Sequence, residues 1–205
     1  ALNVIISPEI EVARAVTRRL HAPGTLDLIP FADDKVQVVA VRCMEDCPVL
    51  NLPVSLIQQR AGSLTMNILG VTHEGKFSVA TPNTLLHEGD DVYFIAASKH
   101  VRKVMSLFGH NEKEARRAII LGGGNIGMFL AQELEKDDDH DIKVKIVEYG
   151  RERAEEIAGT LDKVKVLNGS ALDRDVLMEA GIDRTETVIA VTNDDETNIL
   201  ASLLA

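Results

Sequence analysis

From residue 118 onward, short strand-like segments rich in apolar residues alternate with stretches in which apolar residues recur every three or four positions. The segments are 118–121, which is continuously apolar, 144–147, 164–167 and 188–191; the helical spacing fills 126–135, 151–161, 172–180 and a stretch that Asp194 begins. Segments rich in Val, Ile and Leu suit strands covered on both faces, as in a parallel sheet. Strands alternating with helices in this way predict a doubly wound parallel (Rossmann) sheet, an α/β fold. Gly181 stops the third of these helices.

The first half has another rhythm. Ser7-Pro8-Glu9 has the form of a helix start, with a capping Ser, Pro at the first helical position and an early acid. Ile10, Ala13, Val16 and Leu20 follow at helical spacing, and Pro23-Gly24 ends the helix. Before it, Asn3-Val4-Ile5-Ile6 reads as a strand. Residues 25–97 are strand-rich: a segment with Leu26, Leu28 and Pro30, a run at 36–41, a strand carrying Leu64, Met66, Ile68 and Val71, another at 77–79, and a last at 92–97. Glu74-Gly75 predicts a hairpin turn and Glu88-Gly89-Asp90 another turn. A short helix is expected at 53–60, stopped by Gly62, and Ser98 is expected to cap a helix bearing Val101, Val104, Met105 and Leu107. This is a small α+β module. The polar stretch 109–117 is the expected boundary, giving three segments: 1–22, 24–108 and 116–205. The chain opens without Met inside a strand pattern and stops inside a helical one, so it is expected to be a piece of a longer protein.

Composition narrows the classes. Apolar residues make up 45% of the 205 and aromatics only 3%, so the core must be aliphatic. Acids outnumber bases 32 to 22, for a formal charge of -10, which repels phosphate backbones and argues against nucleic acid. One bound dinucleotide remains compatible, because helix-start amides can hold its pyrophosphate. Cys43 and Cys47 make no disulfide framework and lack the second pair a structural zinc site needs, which points to a reducing compartment. His21, His73, His87, His100, His110 and His140 are scattered and form no obvious ligand pair along the chain. Asp137-Asp138-Asp139-His140-Asp141 reads as a solvated turn, with weak cation binding as the alternative, and Arg14, Arg18 and Arg19 as a solvated helix face, with a subunit contact as the alternative. No apolar run approaches the roughly 18 residues of a membrane span, and the stretch 1–7, without a basic flank and cleavage site, is not expected to be a signal peptide. The expectation is a cytoplasmic chain without direct membrane insertion, attached at most through a partner.

The chemistry-bearing motif is Gly122-Gly123-Gly124-Asn125-Ile126-Gly127. It follows an apolar strand, opens a helix, and has an acid, Glu148, at the end of the next strand, 21 residues after Gly127; the dinucleotide fingerprint expects an acid about 20 residues on. Gly122 permits the tight turn, Gly124 admits the pyrophosphate to the backbone, and Gly127 lets helix and strand pack closely. Amides around Asn125 and Ile126 would face the phosphates, aided by the helix dipole. Glu148 would accept from the adenosine ribose hydroxyls and repel a 2′-phosphate, favouring NAD(H) over NADP(H). Two more strand ends face the same crevice: Gly169 and Ser170 could flank the adenine, and Thr192 and Asn193 could reach the pyrophosphate or distal ribose, although 192–195 could equally cap the last helix.

The motif 122–127, Glu148, Asn168-Gly169-Ser170, and Val191-Thr192-Asn193-Asp194-Asp195-Glu196-Thr197-Asn198 together resemble the cytoplasmic regulators of potassium conductance and transport, of the TrkA type. The stretch Gly89-Asp90-Asp91-Val92-Tyr93-Phe94-Ile95-Ala96 resembles the closing strand of their small ligand-sensing domain. The resemblance implies tandem Rossmann and small α+β domains, with 1–22 as the tail of a first Rossmann copy, 24–108 as the small TrkA-C-like domain and 116–205 as the second, TrkA-N-like Rossmann copy. It implies binding of NAD(H), with ATP or ADP as other candidates, homo-oligomers in which dimers assemble into a ring, and docking on a membrane potassium transporter subunit. The chain departs from the pattern at Ser170, where many members carry Asp. The expected function is a nucleotide-gated regulatory subunit of potassium uptake, not an enzyme. An NAD-dependent oxidoreductase and an assembly module without a functional ligand are the alternatives. The first needs an acid–base group and substrate pocket beside the nicotinamide, and the second predicts loss of the glycines or of Glu148.

Overall fold

A computed structural model describes residues 7–137 and 140–205; the strand expected at 3–6 and the pair Asp138-Asp139 lie outside the described residues. The chain divides into two units, one of residues 22–113 and the other of residues 1–21 together with 114–205.

The smaller unit is built on an antiparallel five-stranded sheet of order β1-β2-β5-β3-β4, from β1 (Thr25–Phe31), β2 (Val36–Arg42), β3 (Met66–His73), β4 (Lys76–Val79) and β5 (Asp91–Ala97). Alternation decides which face is inside: Val92, Phe94 and Ala96 of β5 are buried while their neighbours are half-buried. The apolar spacing of β3 skips from Ile68 to Val71, and the structure shows why. The β3–β5 register shifts between Ile68 and Gly70, and such a bulge returns Val71 to the core face. Glu74 and Gly75 both have positive φ, 47° and 76°, as a two-residue hairpin of type I′ requires. Helices α2 (Val54–Ala61) and α3 (Val101–Leu107) supply Ile57, Val104 and Met105 to the core, where Phe94 and Phe108 stack at 5.5 Å. One expectation fails. Ser98 does not cap α3: it opens a 3-10 turn, Ser98–His100, and its hydroxyl donates to the Asp34 carbonyl instead.

The larger unit has a parallel sheet of order β8-β7-β6-β9, formed by β6 (Arg117–Leu121), β7 (Lys143–Glu148), β8 (Lys165–Asn168) and β9 (Thr187–Ala190). Ala118 and Ile120 face one core, with Leu130, Ala131 and Leu134 of α4 (Asn125–Lys136) and Ile157 of α5 (Arg151–Thr160). Ile119 and Leu121 face the other, with Leu177 of α6 (Arg174–Ala180) and Ala201 of α7 (Asp195–Leu204). Burial on both faces is why this strand is apolar at every position from 118 to 121, and each fully buried aliphatic there contributes on the order of 2 kcal/mol. Helix α6 begins at Arg174 rather than at 172, because Asp173 caps it by accepting from the Asp175 amide at 2.9 Å; Gly181, left-handed at φ 82°, ends it. Helix α1 (Pro8–His21) lies beside α4, and its Ala13 and Leu20 join the α4 core. No helix among the described residues is long and apolar enough to cross a membrane.

Candidate functional site

The carboxyl ends of β6, β7, β8 and β9 open onto a cleft of about 580 Å³, within the range of small-ligand sites. Its floor is the glycine turn after β6. Gly122 has φ 106°, and a Cβ there would sit 2.9 Å from the Thr192 amide nitrogen, so both conformation and space demand glycine. A Cβ on Gly127 would lie 2.0 Å from the Gly122 carbonyl oxygen; its absence lets α4 seat on the turn. Gly123 is equally confined, since a Cβ would meet Ile157 at 2.3 Å.

Gly124 is different. Its φ is -65°, and a Cβ would make ordinary contact with Asn193 Oδ1 at 3.7 Å. Nothing inside the protein needs a glycine there. What the missing Cβ leaves open is the approach to the backbone from the cleft. Gly124 is also the N-cap of α4, with no side-chain cap and no acid in the first turn. By contrast, α6 and α7 carry capping aspartates, Asp173 and Asp194. The amides of Asn125 and Ile126 lie in the first turn of α4, where the helix offers unsatisfied donors and the positive end of its dipole.

Glu148 closes the opposite wall. Its Oε2 accepts from the Gly123 amide at 2.6 Å and its Oε1 from the Gly150 amide at 2.7 Å. The carboxylate thus ties the turn after β6 to the start of α5 and keeps further lone pairs for a ligand. The Gly123 amide is correspondingly spent on Glu148. The Glu148 carbonyl accepts from the Gly169 amide and from Asn168 Nδ2, both at 2.9 Å, holding the three strand ends in line.

The remaining expected residues divide. Ser170 lines the cleft, with its Oγ accepting from the Leu172 amide at 3.2 Å. Gly169 does not line it; a Cβ there would meet Val176 at 2.7 Å, so this glycine admits α6. Thr192 lines the cleft but is engaged. Its amide and hydroxyl both donate to Asn198 Oδ1 at 2.8 Å, and its carbonyl accepts from Asn198 Nδ2 at 3.0 Å. Asn193 is exposed at the lip, its Oδ1 toward Gly124. Asp194 accepts from the Thr197 hydroxyl and, at 3.0 Å, from its amide, and these bonds hold its carboxyl below the usual range. Capping and cleft lining therefore coexist in 192–195.

Sequence reasoning missed Tyr149 and Arg153. Tyr149 is 81% exposed and stands on the lip immediately after Glu148. Arg153, in the first turn of α5, donates from Nε to the Gly123 carbonyl at 2.8 Å and from Nη1 to Glu156 at 2.7 Å, and it is the one basic side chain in the lining. The available signal was position: residues that follow an acid-ended parallel strand sit at the ligand edge of the sheet.

Comparison with known proteins agrees with this architecture. The TrkA-C domain model matches residues 38–109 and the TrkA-N domain model residues 118–205. The Trk system potassium uptake protein TrkA of Azorhizobium caulinodans is 44% identical over 204 residues, covering 100% of this chain and 44% of that protein. The protein of the same name from Halomonas elongata is 35% identical over 204 residues, again covering 100% and 44%. The chain thus spans less than half the length of these relatives. Among solved structures, the GsuK channel bound to NAD aligns over 97% of this chain and 34% of that one, with a TM-score of 0.58 and 23% identity. The GsuK RCK domain aligns over 94% and 40%, with a TM-score of 0.56 and 24% identity; both show a shared fold. With a TrkA-C domain followed by a TrkA-N domain and likeness to these uptake proteins along the whole of this chain, the chain belongs to the TrkA family.

Proposed function

We propose that the cleft binds the adenosine diphosphate portion of NAD(H), and that the chain is the nucleotide-sensing part of a cytoplasmic regulator of a membrane potassium transporter. The observation that carries this reading is the start of α4: an uncapped helix N-terminus behind a glycine, Gly124, whose missing Cβ serves no contact within the protein. The pyrophosphate lies over the amides of Asn125 and Ile126, with Arg153 as its one nearby cation. Glu148 accepts from the ribose hydroxyls. Tyr149 and the 170–172 segment flank the adenine, and Asn193 reaches toward the second ribose. Gly169 acts one layer behind, by letting α6 approach.

The lining also supports a regulatory rather than catalytic role. Its ionisable side chains are Glu148, Tyr149, Arg153 and Asp194; Glu148 is held by amides on both oxygens, and Asp194 by its own helix. The mechanism is a shift between conformations of a homo-oligomeric ring seated on the transporter. A ligand moves such an equilibrium only by binding one state better than the other, so NAD against NADH, or ATP against ADP, is the relevant contrast. In this arrangement 1–22 is the tail of a preceding Rossmann copy. The name of the NAD-bound GsuK channel and those of the Trk uptake relatives support the reading.

Calorimetric titration with NAD, NADH, ATP and ADP in separate runs tests it. At least one is expected to bind one per chain, and Glu148→Ala is expected to weaken that binding by about 1–3 kcal/mol, the range of a charge-assisted hydrogen bond. No heat from any of the four would end the proposal.

A further inference from the structure

The smaller unit holds a second constellation, remote from the glycine turn in sequence and chemistry. His73 at the end of β3 and His87 and Asp90 just before β5 bring three donor atoms within 4.8 Å of one another. Asp90 is the fixed member: its side chain is 2% exposed. Its Oδ2 accepts from the His87 amide at 2.8 Å, its amide donates to the His87 carbonyl at 3.2 Å, and its own carbonyl accepts from the Cys43 amide at 2.8 Å. Burying a carboxylate at a surface turn is costly unless it is paired, and here two imidazoles converge on it from the solvent side, 55% and 50% exposed.

His73 Nδ1 is hydrogen-bonded to Asp90 Oδ1 at 2.5 Å, and His87 Nδ1 lies 3.6 Å from Asp90 Oδ2. Two ligands on a tetrahedral ion, each bonded at about 2.0 Å, stand roughly 3.3 Å apart, so the His87 distance is close to that spacing and an ion would replace the His73 hydrogen bond by parting its two atoms by about 0.8 Å. The imidazole centres are 5.3 Å apart and tilted by 55°, close to the roughly 5 Å that two histidines on such an ion adopt. A second cluster in the other unit, His21, Asp137 and His140, has its rings edge to face at 3.8 Å, further from that ring spacing than His73 and His87.

We infer that His73, His87 and Asp90 form a binding site for a borderline divalent transition-metal cation, of which Zn²⁺ is the representative. Two imidazole nitrogens and one carboxylate suit such an ion better than Ca²⁺ or Mg²⁺, which want oxygen. Three protein ligands leave a fourth position for water or an incoming group. The Asp90 carboxylate is oriented in advance by the His87 amide, as outer bonds commonly orient metal ligands. The ion joins the turn end of the β3–β4 hairpin to the start of β5, so its binding tightens one end of the antiparallel sheet.

The test is competition of the chain with a chromophoric chelator for Zn²⁺, paired with Co²⁺ absorption spectra to read coordination. One tight site per chain is expected, with four-coordinate Co²⁺ bands. His73→Ala and His87→Ala are each expected to weaken Zn²⁺ at least about tenfold, since even outer-shell losses cost 10–100-fold. Both side chains are half-exposed, so these variants keep the fold, and circular dichroism confirms it. His140→Ala is the control and leaves affinity unchanged. Unaltered affinity in both variants, or loss confined to His140→Ala, overturns the assignment.

Discussion

Helices α4 and α7 start on the same edge of the same parallel sheet, yet they start in opposite ways. Helix α7 closes its own N-terminus, with Asp194 accepting from Thr197. Helix α4 begins at Gly124 with no side chain over its first amides. A folded protein rarely leaves such donors without partners where it can supply them. That difference is what the proposal of an outside partner for α4 rests on, and it separates glycines confined by their neighbours from the one that is not.

Gly127→Ala tests the scaffold and has the largest expected effect. Its Cβ would strike the Gly122 carbonyl, so a loss of about 3 kcal/mol in chemical denaturation is expected, at the upper end of overpacking, together with loss of NAD binding. Gly124→Asp gives α4 the cap that α7 already has. Stability is expected to hold or rise by a few tenths of a kcal/mol, while affinity for NAD falls more than about tenfold, because a fixed anion then occupies the phosphate position. Unchanged affinity would break the comparison. Asp194→Ala uncaps α7 and is expected to cost about 1 kcal/mol without lowering NAD affinity in the same calorimetric assay.

The smallest effect concerns α1, which packs on α4. Burial and the neighbouring His140 hold His21 below its ordinary 6.5, outweighing Asp137 and Glu114. The folded chain therefore binds this proton less readily than the unfolded chain. Stability is full above about 6.5 and declines as pH falls below it. Thermal midpoints measured from pH 7.5 to 5.5 are expected to drop, and His21→Gln to drop less. The acid effect and Asp194→Ala should be additive if the C-terminal end of α4, beside His21, and the start of α7 are energetically separate.

The parallel sheet was legible in the sequence because burial on both faces makes its central strand apolar throughout, as Ala118 to Leu121 shows; 144–147 reads through Lys145, whose Nζ bonds the Ala180 carbonyl. In the antiparallel unit the hairpin at Glu74-Gly75 was legible from turn chemistry. Ser98 was not, because whether a Ser caps its own helix or bonds a distant carbonyl depends on where Asp34 lies. The glycine turn and Glu148 were readable from spacing. The position of Gly169 was not, since a glycine at a strand end can flank a cleft or, as here, admit Val176 of the next helix. His73 ends β3 and Asp90 immediately precedes β5, its partner in the sheet, so only the sheet reveals that they are neighbours.

The Thr192–Asn198 ring has a mechanical consequence. Because the amide, carbonyl and hydroxyl of Thr192 are all fastened to one side chain on α7, the loop at the cleft lip has no slack of its own. A pull on Asn193 becomes a tilt of the whole rod, and its outward Ile199 and Leu203 would sweep with it like the far end of a lever.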